Sequence, residues 1–342
     1  MLKLSFVIPV FGVEQYIARC LDSVFAINLP EDEYEVICVD DCSKDASASI
    51  VESYQKAHAN LSLIHHDVNK KQGGARNTGV RVARGEYLIF VDADDTIPQY
   101  DLAGLLDYME NQQLELLLGA AECHKQNGEV VRWGKSPVTE SPVMSGPELF
   151  TDEYIHQIAF GVVWMGIYNL DLVRRTGSFV EKVPYEDADW TLRCAYHARR
   201  AQYKPMVIYH YMDNPSSTTR KVSVDSVIYR AKQSLRVWSW AQTTNENHEN
   251  VMLSAEDFCT WNLSAIKSLW KYGFSERHRF YRAFTQEEFS VMRKWRSNYG
   301  YMNLVRCPVA SQIALSVASP VLRAGRWLKR KTKTCVQPHM VL

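Results

Sequence analysis

Gly85-Glu-Tyr-Leu-Ile-Phe-Val-Asp-Ala-Asp-Asp95 is the stretch that decides the fold. Its hydrophobic run, 87–91, is typical of a strand buried on both faces, and three carboxylates follow within four residues. Three similar runs precede it at 4–8, 35–39 and 61–64, separated by patterns typical of helices. Apolar strands that alternate with helices predict an α/β fold, a mostly parallel central sheet flanked by helices.

The helix patterns lie at 14–26, 47–58, 76–83 and 102–111. In the first, hydrophobic residues recur every three or four positions, which gives the helix one buried stripe. Residues after about 219 change character and indicate helices that are rich in aromatic side chains. We therefore predict an α/β domain at 1–218 and a helical C-terminal region at 219–342, which could face an acceptor or a membrane.

Composition excludes several classes of protein. The 342-residue chain has 39 basic and 39 acidic residues, so no overall field favours binding to nucleic acid. None of its eight cysteines forms a CxxC pair or a zinc-type cluster, which favours reduced thiols and a cytoplasmic location. We expect no signal peptide, because Pro9 breaks the first apolar run, and no run is long enough to span a bilayer.

Acidic residues follow two of the predicted strands. They are Asp40 and Asp41 after the second strand, and Asp92, Asp94 and Asp95 after the fourth. Ligands of parallel α/β sheets bind at the carboxyl ends of the strands, so we expect both groups on neighbouring strands of one functional rim, with Pro9 ending the first strand. Paired carboxylates suit Mg2+ or Mn2+. A helix-capping turn through Asp95 or Thr96 is the alternative.

Five segments carry a recognisable pattern. They are Val7-Ile-Pro-Val-Phe-Gly-Val-Glu-Gln-Tyr-Ile17, Cys20-Leu-Asp-Ser23, Val39-Asp-Asp-Cys-Ser-Lys-Asp45, Gly74-Ala-Arg-Asn-Thr-Gly79 and the stretch at 85–95. In order and spacing they resemble glycosyltransferase family 2. Val163-Trp164 with Tyr168, and Glu186-Asp187 before Trp190, resemble its acceptor-side motifs. The resemblance covers about 3–218. It implies a GT-A fold and inverting transfer from a nucleotide-sugar donor, usually a UDP-sugar, to a glycan or lipid-linked glycan acceptor.

The resemblance also implies a nucleotide pocket at the first two strands. The backbone at Pro9 and Val10, with Glu14, would line the nucleobase and ribose, and Asp40 would bond the nucleobase beside Asp41. For Asp41, capping of the turn before Ser43 is the alternative. This sequence departs from the family at Phe11-Gly12 and at Cys42, where a glycine is common. The Cys42 turn must then avoid an obligatory positive φ or carry strain.

The resemblance implies a different role for each acidic residue after the fourth strand. It implies that Asp92 contacts the ribose or sugar, that Asp94 binds a divalent metal (Mn2+ or Mg2+), and that Asp95 orders the loop. Arg76 would approach the diphosphate or hold the acidic loop. The alternative for Arg76 is an ordinary ion pair with Asp92 or Asp95.

On the acceptor side, the resemblance implies that Asp187 is the general base, with Glu186 able to take that role instead. The alternative is that both acids start a helix, since acids stabilise helix N-termini. His210 or Arg220 would reach the diphosphate when the loop at 213–220 closes. A histidine with a packing or surface role is the competing interpretation.

The C-terminal region suggests contact with a membrane surface. Residues 304–322 are fairly apolar, and a basic cluster around Trp327 follows them up to Lys333. Such a segment, 304–333, suits peripheral attachment to an anionic membrane, at the inner face of the cell membrane for a cytoplasmic protein. A helix packed on the protein, followed by a solvated basic tail, is the alternative.

Two other functions compete. Residues 90–96 also fit the Asp-x-Asp-x-Thr motif of haloacid-dehalogenase-type phosphatases, with Asp92 as nucleophile and Asp94 as acid and base. That motif normally follows the first strand of its domain, whereas here it follows the fourth. A non-catalytic nucleotide-sugar-binding protein is the third interpretation, which incomplete carboxylates would favour. All four principal acids, Asp40, Asp92, Asp94 and Asp187, are present.

Overall fold

The computed structural model describes residues 2–134, 137–149, 161–214, 223–244, 251–252, 255–256, 258–259, 262, 269 and 271–294. The chain divides into two units, Met1–Arg220 with Ser239–Ala255, and Lys221–Trp238 with Glu256–Leu342. The roles expected for 1–218 and 219–342 stay predictions. Arg220 and the segment 304–333 lie outside the described residues.

The first unit is built on one mixed sheet. Its strands are β1 (Leu4–Val10), β2 (Tyr34–Asp40), β3 (Leu61–His65), β4 (Tyr87–Phe90), β5 (Leu116–His124), β6 (Val130–Arg132), β7 (Gly166–Asn169) and β8 (Ala201–Met212). The order is β3-β2-β1-β4-β7-β5-β6, with β8 paired to β5. Strands β1 to β4 run parallel, β7 is antiparallel to β4 and β5, and β8 is parallel to β5. The predicted α/β fold is confirmed.

Helices cover this sheet. They are α1 (Ile17–Phe25), α2 (Ser47–Ala57), α3 (Lys71–Val82), α4 (Leu102–Asn111), α5 (Gly146–Leu149), α6 (Leu170–Thr176) and α7 (Glu186–His197), with a 3-10 turn at Val163–Met165. Every residue of β1 and β2 is buried, as expected for strands covered on both faces. Each buried Val, Leu or Ile side chain contributes roughly 1.5–3 kcal/mol, so these two strands anchor the rim.

The second unit contains residues 224–238 of α8 (Val224–Ala241), together with α9 (Phe274–Arg282) and α10 (Gln286–Lys294). Its aromatic side chains pack on one another: the ring centroid of Phe280 lies 5.0 Å from that of Phe284, which lies 5.7 Å from that of Phe289. Among the described residues, no helix combines the length and the hydrophobicity needed to cross a bilayer.

Pro9 lies inside β1, so the prediction that it ends the first strand is wrong. The backbone of odd-numbered residues in β1 faces β4, since the carbonyl of Val7 accepts a hydrogen bond from the Val91 amide. Pairing with β4 stops at Val7, opposite Phe90, while pairing with β2 continues to Val10. The nitrogen of Pro9 therefore faces the side where β1 no longer pairs with β4. Because no strand lies there to accept a hydrogen bond, the lack of an N–H group on proline removes no hydrogen bond from the sheet.

Two further predictions need correction. The acidic groups after β2 and β4 do not follow neighbouring strands, because β1 lies between these strands. Helix α3 begins at Lys71 rather than at Arg76. Gly73 and Gly74 lie within this helix. A Cβ at Gly73 would come within 2.5 Å of the Val180 carbonyl oxygen, so glycine there permits a close approach of the chain before α7.

Candidate active site

Asp95 ties the acidic loop to β8. It is 1% exposed, and its two carboxylate oxygens accept hydrogen bonds from the Tyr209 hydroxyl (2.8 Å) and the Met212 amide (2.7 Å). The Tyr209 hydroxyl also accepts a hydrogen bond from the Asp92 amide at 3.0 Å. Burial, and then the neighbouring Asp94 and Asp92, raise the pKa of Asp95 well above its ordinary value. These contacts fix the backbone that presents Asp92 and Asp94.

Asp94 is partly buried, and in the described part of the chain the side chain that donates to its carboxylate is a neutral amide. One oxygen accepts a 2.9 Å hydrogen bond from the Asn214 amide, while Arg19 donates to the backbone carbonyl of Asp94 at 2.8 Å. Burial, and then the charge of Asp92, raise the pKa of Asp94. Clustered carboxylates with raised pKa values gain stability from a bound cation.

The donor set of this loop fits a hard divalent ion. Asp92 and Asp94 supply carboxylate oxygens, the ligand type that Mg2+ and Mn2+ prefer. Within the described residues, no third His, Cys, Asp or Glu joins these two in a metal-sized group. Mg2+ is often held by only one or two carboxylates together with the phosphates of a substrate, so the loop fits an ion that arrives with a diphosphate.

Arg76 joins the acidic loop to the start of α7. Its side chain is 1% exposed and donates hydrogen bonds to Asp92 at 2.7 Å and to Glu186 at 2.5 Å. Burial alone would lower the pKa of the guanidinium, but Asp92, Glu186 and Asp187 outweigh it and raise this pKa. Of the two ion pairs that the sequence left as alternatives for Arg76, the one with Asp92 is present, whereas the described residues show none with Asp95.

Asp187 lies at the first turn of α7, beside Glu186. Burial, and then the charge of Glu186, raise the pKa of Asp187 to about 8, against the opposing effect of Arg76. Burial also raises the pKa of Glu186, whereas its ion pair with Arg76 lowers it. Both acids do start a helix. The alternative interpretation is therefore confirmed for the helix start, while the general-base role of Asp187 or Glu186 stays a prediction.

The two carboxylates at the end of β2 have hydrogen-bond partners within the protein. Asp40 accepts a hydrogen bond from the Ser43 amide (3.1 Å) and lies 3.3 Å from a ring nitrogen of His65. Asp41 accepts one from the Lys70 amide (2.8 Å) and pairs with His66 at 2.7 Å. The turn before Ser43 is thus capped by Asp40, and Asp41 instead holds the chain that leads into α3.

Pro9, Val10 and Glu14 surround the same strand end. Val10 is opposite Asp40 in the sheet, and its carbonyl accepts a hydrogen bond from the Asp41 amide at 2.9 Å. The exposed Glu14 accepts a 2.8 Å hydrogen bond from the Ala46 amide, just before α2. The structure therefore brings these predicted nucleobase-side residues together at the ends of β1 and β2.

Cys42 occupies a turn position where glycine is common in the family, and its backbone does adopt a positive φ. Its φ is +67°, in the left-handed region that favours glycine, so the turn carries backbone strain. The Cys42 thiol donates to the His66 carbonyl at 2.9 Å, which helps to offset that cost.

His210 lies on β8 and pairs with Thr96 through backbone bonds in both directions. Its ring is 24% exposed, and its centroid lies 4.2 Å from that of His124. Burial, and then the neighbouring His124, lower the pKa of His210. The ring therefore lies among side chains of β5 and β8, and its contact with a diphosphate stays a prediction.

Residues 5–173 match the sequence model of Glycosyl transferase family 2. This part of the chain belongs to glycosyltransferase family 2. Membership leaves the phosphatase interpretation of Asp92 without support.

Relatives of the chain are named as glycosyltransferases. The poly(ribitol-phosphate) beta-glucosyltransferase of Bacillus spizizenii is 40% identical over 119 residues, 34% of this chain and 19% of that protein. The uncharacterized glycosyltransferase EpsJ of Bacillus subtilis is 30% identical over 219 residues, 63% of this chain and 62% of that protein. The chain thus spans less than two thirds of the length of these curated relatives.

Solved structures share the fold. The poly(ribitol-phosphate) beta-N-acetylglucosaminyltransferase TarS of Staphylococcus aureus, residues 1–349 with UDP-GlcNAc, has a TM-score of 0.67 at 21% identity, covering 95% of this chain and 92% of that one. A mannosyltransferase of Pyrobaculum calidifontis with GDP-Man and Mn2+ has a TM-score of 0.55 at 16% identity, covering 93% and 86%. The fold is therefore GT-A.

Sequence reasoning missed four residues that shape the acidic loop. They are Arg19, Tyr209, Met212 and Asn214. Asn214 lies 120 residues from its partner Asp94, and Arg19 lies 75 residues from it. No local pattern marks such long-range contacts. The one available signal was position, since Asn214 follows the strand that leads into the predicted loop at 213–220.

Proposed function

We propose that the chain transfers a sugar from a nucleotide diphosphate sugar, a UDP-sugar, to a hydroxyl group of a glycan or lipid-linked glycan. The observation that carries this proposal is the Arg76 bridge, since it holds donor-side Asp92 and acceptor-side Glu186 on one buried guanidinium. Support for the donor class comes from the fold shared with TarS, whose structure contains UDP-GlcNAc.

On the donor side, the end of β1 and the turn at Asp40 receive the nucleobase, and Asp92 contacts the ribose or sugar. Asp94 holds Mn2+ or Mg2+, which neutralises charge on the leaving diphosphate when bound. Asp95 contributes indirectly, since its bonds to Tyr209 and Met212 keep Asp94 in place. The mannosyltransferase with GDP-Man and Mn2+ supports a metal in this fold.

On the acceptor side, Asp187 takes the proton of the attacking hydroxyl. The acceptor oxygen bonds to the anomeric carbon as the bond from that carbon to the diphosphate breaks, so the configuration inverts in a single displacement. Asp187 suits this role better than Glu186, because the direct ion pair with Arg76 makes the Glu186 carboxylate a weaker base. Glu186 then acts as a positioning residue.

The names of the relatives support the acceptor class, and the cysteines support the location. Relatives named for poly(ribitol-phosphate) favour a polymer as acceptor, and a lipid-linked form would suit the basic segment at 304–333. A cytoplasmic location is supported by the described cysteines, which are all free thiols.

A screen of nucleotide sugars tests the proposal. UDP-, GDP- and dTDP-sugars are added to the full chain with Mn2+ or with EDTA, and the unfolding temperature and nucleotide release are recorded. A true donor at about 100 times its Kd stabilises the native state by roughly 2.7 kcal/mol. We expect UDP-sugars to stabilise and to be hydrolysed slowly in Mn2+ only. If no nucleotide sugar stabilised the chain, the proposal would be contradicted. A preference for GDP-sugars would change the proposed nucleobase from uracil to guanine.

A further inference from the structure

A cluster of three metal-ligating side chains lies on β5 and β8, and it shares no residue with the carboxylates of the acidic loop. The cluster consists of Glu122, His124 and His210, and their ligand atoms all lie within 4.8 Å of one another. Glu122 and His210 are direct partners in the parallel pairing of these strands, while His124 follows two residues along β5, on the same face. The backbone register therefore fixes the convergence of all three.

The three side chains meet at one carboxylate oxygen. Oε2 of Glu122 lies 3.8 Å from Nε2 of His124 and 3.8 Å from Nε2 of His210. These separations exceed hydrogen-bond distance, so neither imidazole is bonded to the carboxylate. Ligand atoms around a tetrahedral Zn2+ ion lie about 3.3 Å apart, given metal–ligand distances of about 2.0 Å. Small rotations of three partly exposed side chains would close this gap.

The polar groups of the cluster lack other partners in the described structure. Nε2 of His124 is buried and has no hydrogen-bond partner there, which is costly unless a ligand satisfies it. Glu122 is opposite Arg132 in the β5–β6 pairing, but that guanidinium donates to Pro137, Tyr203 and Pro205 instead. Among the described residues, Glu122 has ion-pair partners only in the two histidines.

We propose that Glu122, His124 and His210 form a binding site for a Zn2+-class transition-metal ion. Two imidazole nitrogens and one carboxylate oxygen suit Zn2+ and leave a fourth position for water. A hard ion such as Mg2+, which favours oxygen ligands, is disfavoured at this site. The ion would tie β5 to the segment of β8 that holds Asp95 through Tyr209 and Met212. The proposal does not depend on the reaction assigned to the chain.

Zinc titration of the full chain tests this site. The protein is stripped with EDTA, left free of nucleotide, and titrated with Zn2+ or Mg2+ against a chromophoric chelator. We expect binding of Zn2+ but not of Mg2+. Glu122→Gln and His124→Gln should each weaken Zn2+ binding by more than the roughly 10- to 100-fold that loss of an outer partner costs.

Two controls separate this site from others. Glu129→Gln removes an exposed carboxylate of the adjoining β5–β6 turn that pairs with Lys125, and it should leave Zn2+ affinity unchanged. Asp94→Asn should also leave it unchanged, because Asp94 is not a ligand here. Circular dichroism checks that each variant is folded, and the two ligand variants are independent tests if one of them fails to fold.

An X-ray absorption spectrum of the zinc-loaded chain gives a second readout. We expect a shell of nitrogen and oxygen at about 2.0 Å with the scattering pattern of imidazole. A sulfur shell would place the zinc on cysteines and overturn the proposal. The proposal would equally fail if no Zn2+ binds, or if both ligand variants bind it as tightly as the unchanged chain.

Discussion

Asp41 after β2 and Asp94 after β4 are the same residue type in different surroundings. Asp41 is 3% exposed, and one oxygen of its carboxylate meets the Lys70 amide and the ring of His66. Asp94 is more open, receives one hydrogen bond from Asn214, and lies beside the like charge of Asp92. The first carboxylate is supplied with donors by the protein. The second is left with repulsion that an external cation can relieve.

This difference separates a structural acid from a ligand-binding acid. Where backbone amides and a histidine converge, the ionised carboxylate is already stabilised, and its removal should affect folding. Where carboxylates face one another, the protein has stored an unfavourable interaction, and its relief by a ligand contributes to binding. Acidity of the sequence alone does not distinguish the two, since both acids follow an apolar strand.

Asp94→Asn should have the largest effect. We expect metal-dependent turnover of a UDP-sugar to fall about 1,000-fold or more, because the charge of the metal at the leaving group is worth several kcal/mol. The measurement is turnover against Mn2+ concentration. Normal turnover at ordinary Mn2+ would show that Asp94 resembles Asp41 and is not the metal ligand.

Asp187→Asn tests the acid on the far side of Arg76. Transfer to acceptor should fall about 100-fold or more, the usual contribution of a general base, while the donor still stabilises the variant. Single-turnover transfer and a thermal shift with donor separate the two effects. Glu186→Gln is the matched comparison. If that variant loses transfer and Asp187→Asn retains it, the roles of the two acids are reversed.

Arg76→Leu should destabilise the fold by about 3–5 kcal/mol, because it leaves the carboxylates of Asp92 and Glu186 without their buried partner. Urea unfolding measures the change in the free energy of unfolding. Lys125→Leu, which removes an exposed ion pair with Glu129, should change it by less than about 1 kcal/mol. Equal effects of the two substitutions would mean that Arg76 does not hold the two acids together.

Asp41→Asn should lower the free energy of unfolding by about 1–3 kcal/mol and should leave the Mn2+ dependence of turnover unchanged. The reason is that its partners, His66 and the Lys70 amide, belong to the fold rather than to a ligand. Asp67→Asn, at an exposed neighbouring position, is the control with little expected effect. If Asp41→Asn shifted the Mn2+ dependence of turnover, Asp41 and Asp94 would both belong to the metal site.

The pH profile of transfer tests the assignment of Asp187 without a substitution. Burial and the neighbouring Glu186 raise the pKa of Asp187 to about 8, so this carboxyl group is protonated below that pH. A general base must be deprotonated, and kcat/KM for transfer should therefore rise about tenfold per pH unit up to about pH 8 and then level off. In Asp187→Asn the residual kcat/KM should no longer rise between pH 6 and pH 8. A profile that is flat from pH 6 to 8 in the unchanged chain would contradict the assignment.

The sequence predicted the first four strands and the acidic loop because both depend on local pattern. Apolar runs of four or five residues identified β1 to β4, and Asp92 to Asp95 follow the last of them directly. The start of α3 was missed because Gly73 and Gly74 have low helix propensity, which a close tertiary contact overrides.

The sequence could not predict which side chains pair with one another across the sheet. Arg76 could have paired with Asp92 or Asp95, and the outcome depends on Tyr209 and Met212, which occupy the Asp95 carboxylate from the far strand β8. The ring of His210 lies beside that of His124 because of the register of β5 with β8, and its contact with a diphosphate on loop closure stays a prediction. Sheet register between distant strands has no local signature.

Gly73 makes the Arg76 bridge dependent on a single absent methyl group. Besides its approach to Val180, a Cβ at this position would lie 2.8 Å from Cγ of Glu186. Any larger residue must therefore displace the very side chain that Arg76 binds. A library randomised at position 73 and selected for transfer should return glycine, and Glu186→Ala should not relax this requirement, because the Val180 carbonyl oxygen would still lie 2.5 Å from a Cβ at that position. The glycine at position 73 thus sets how closely α3, which carries Arg76, approaches the segment before α7 and the Glu186 side chain.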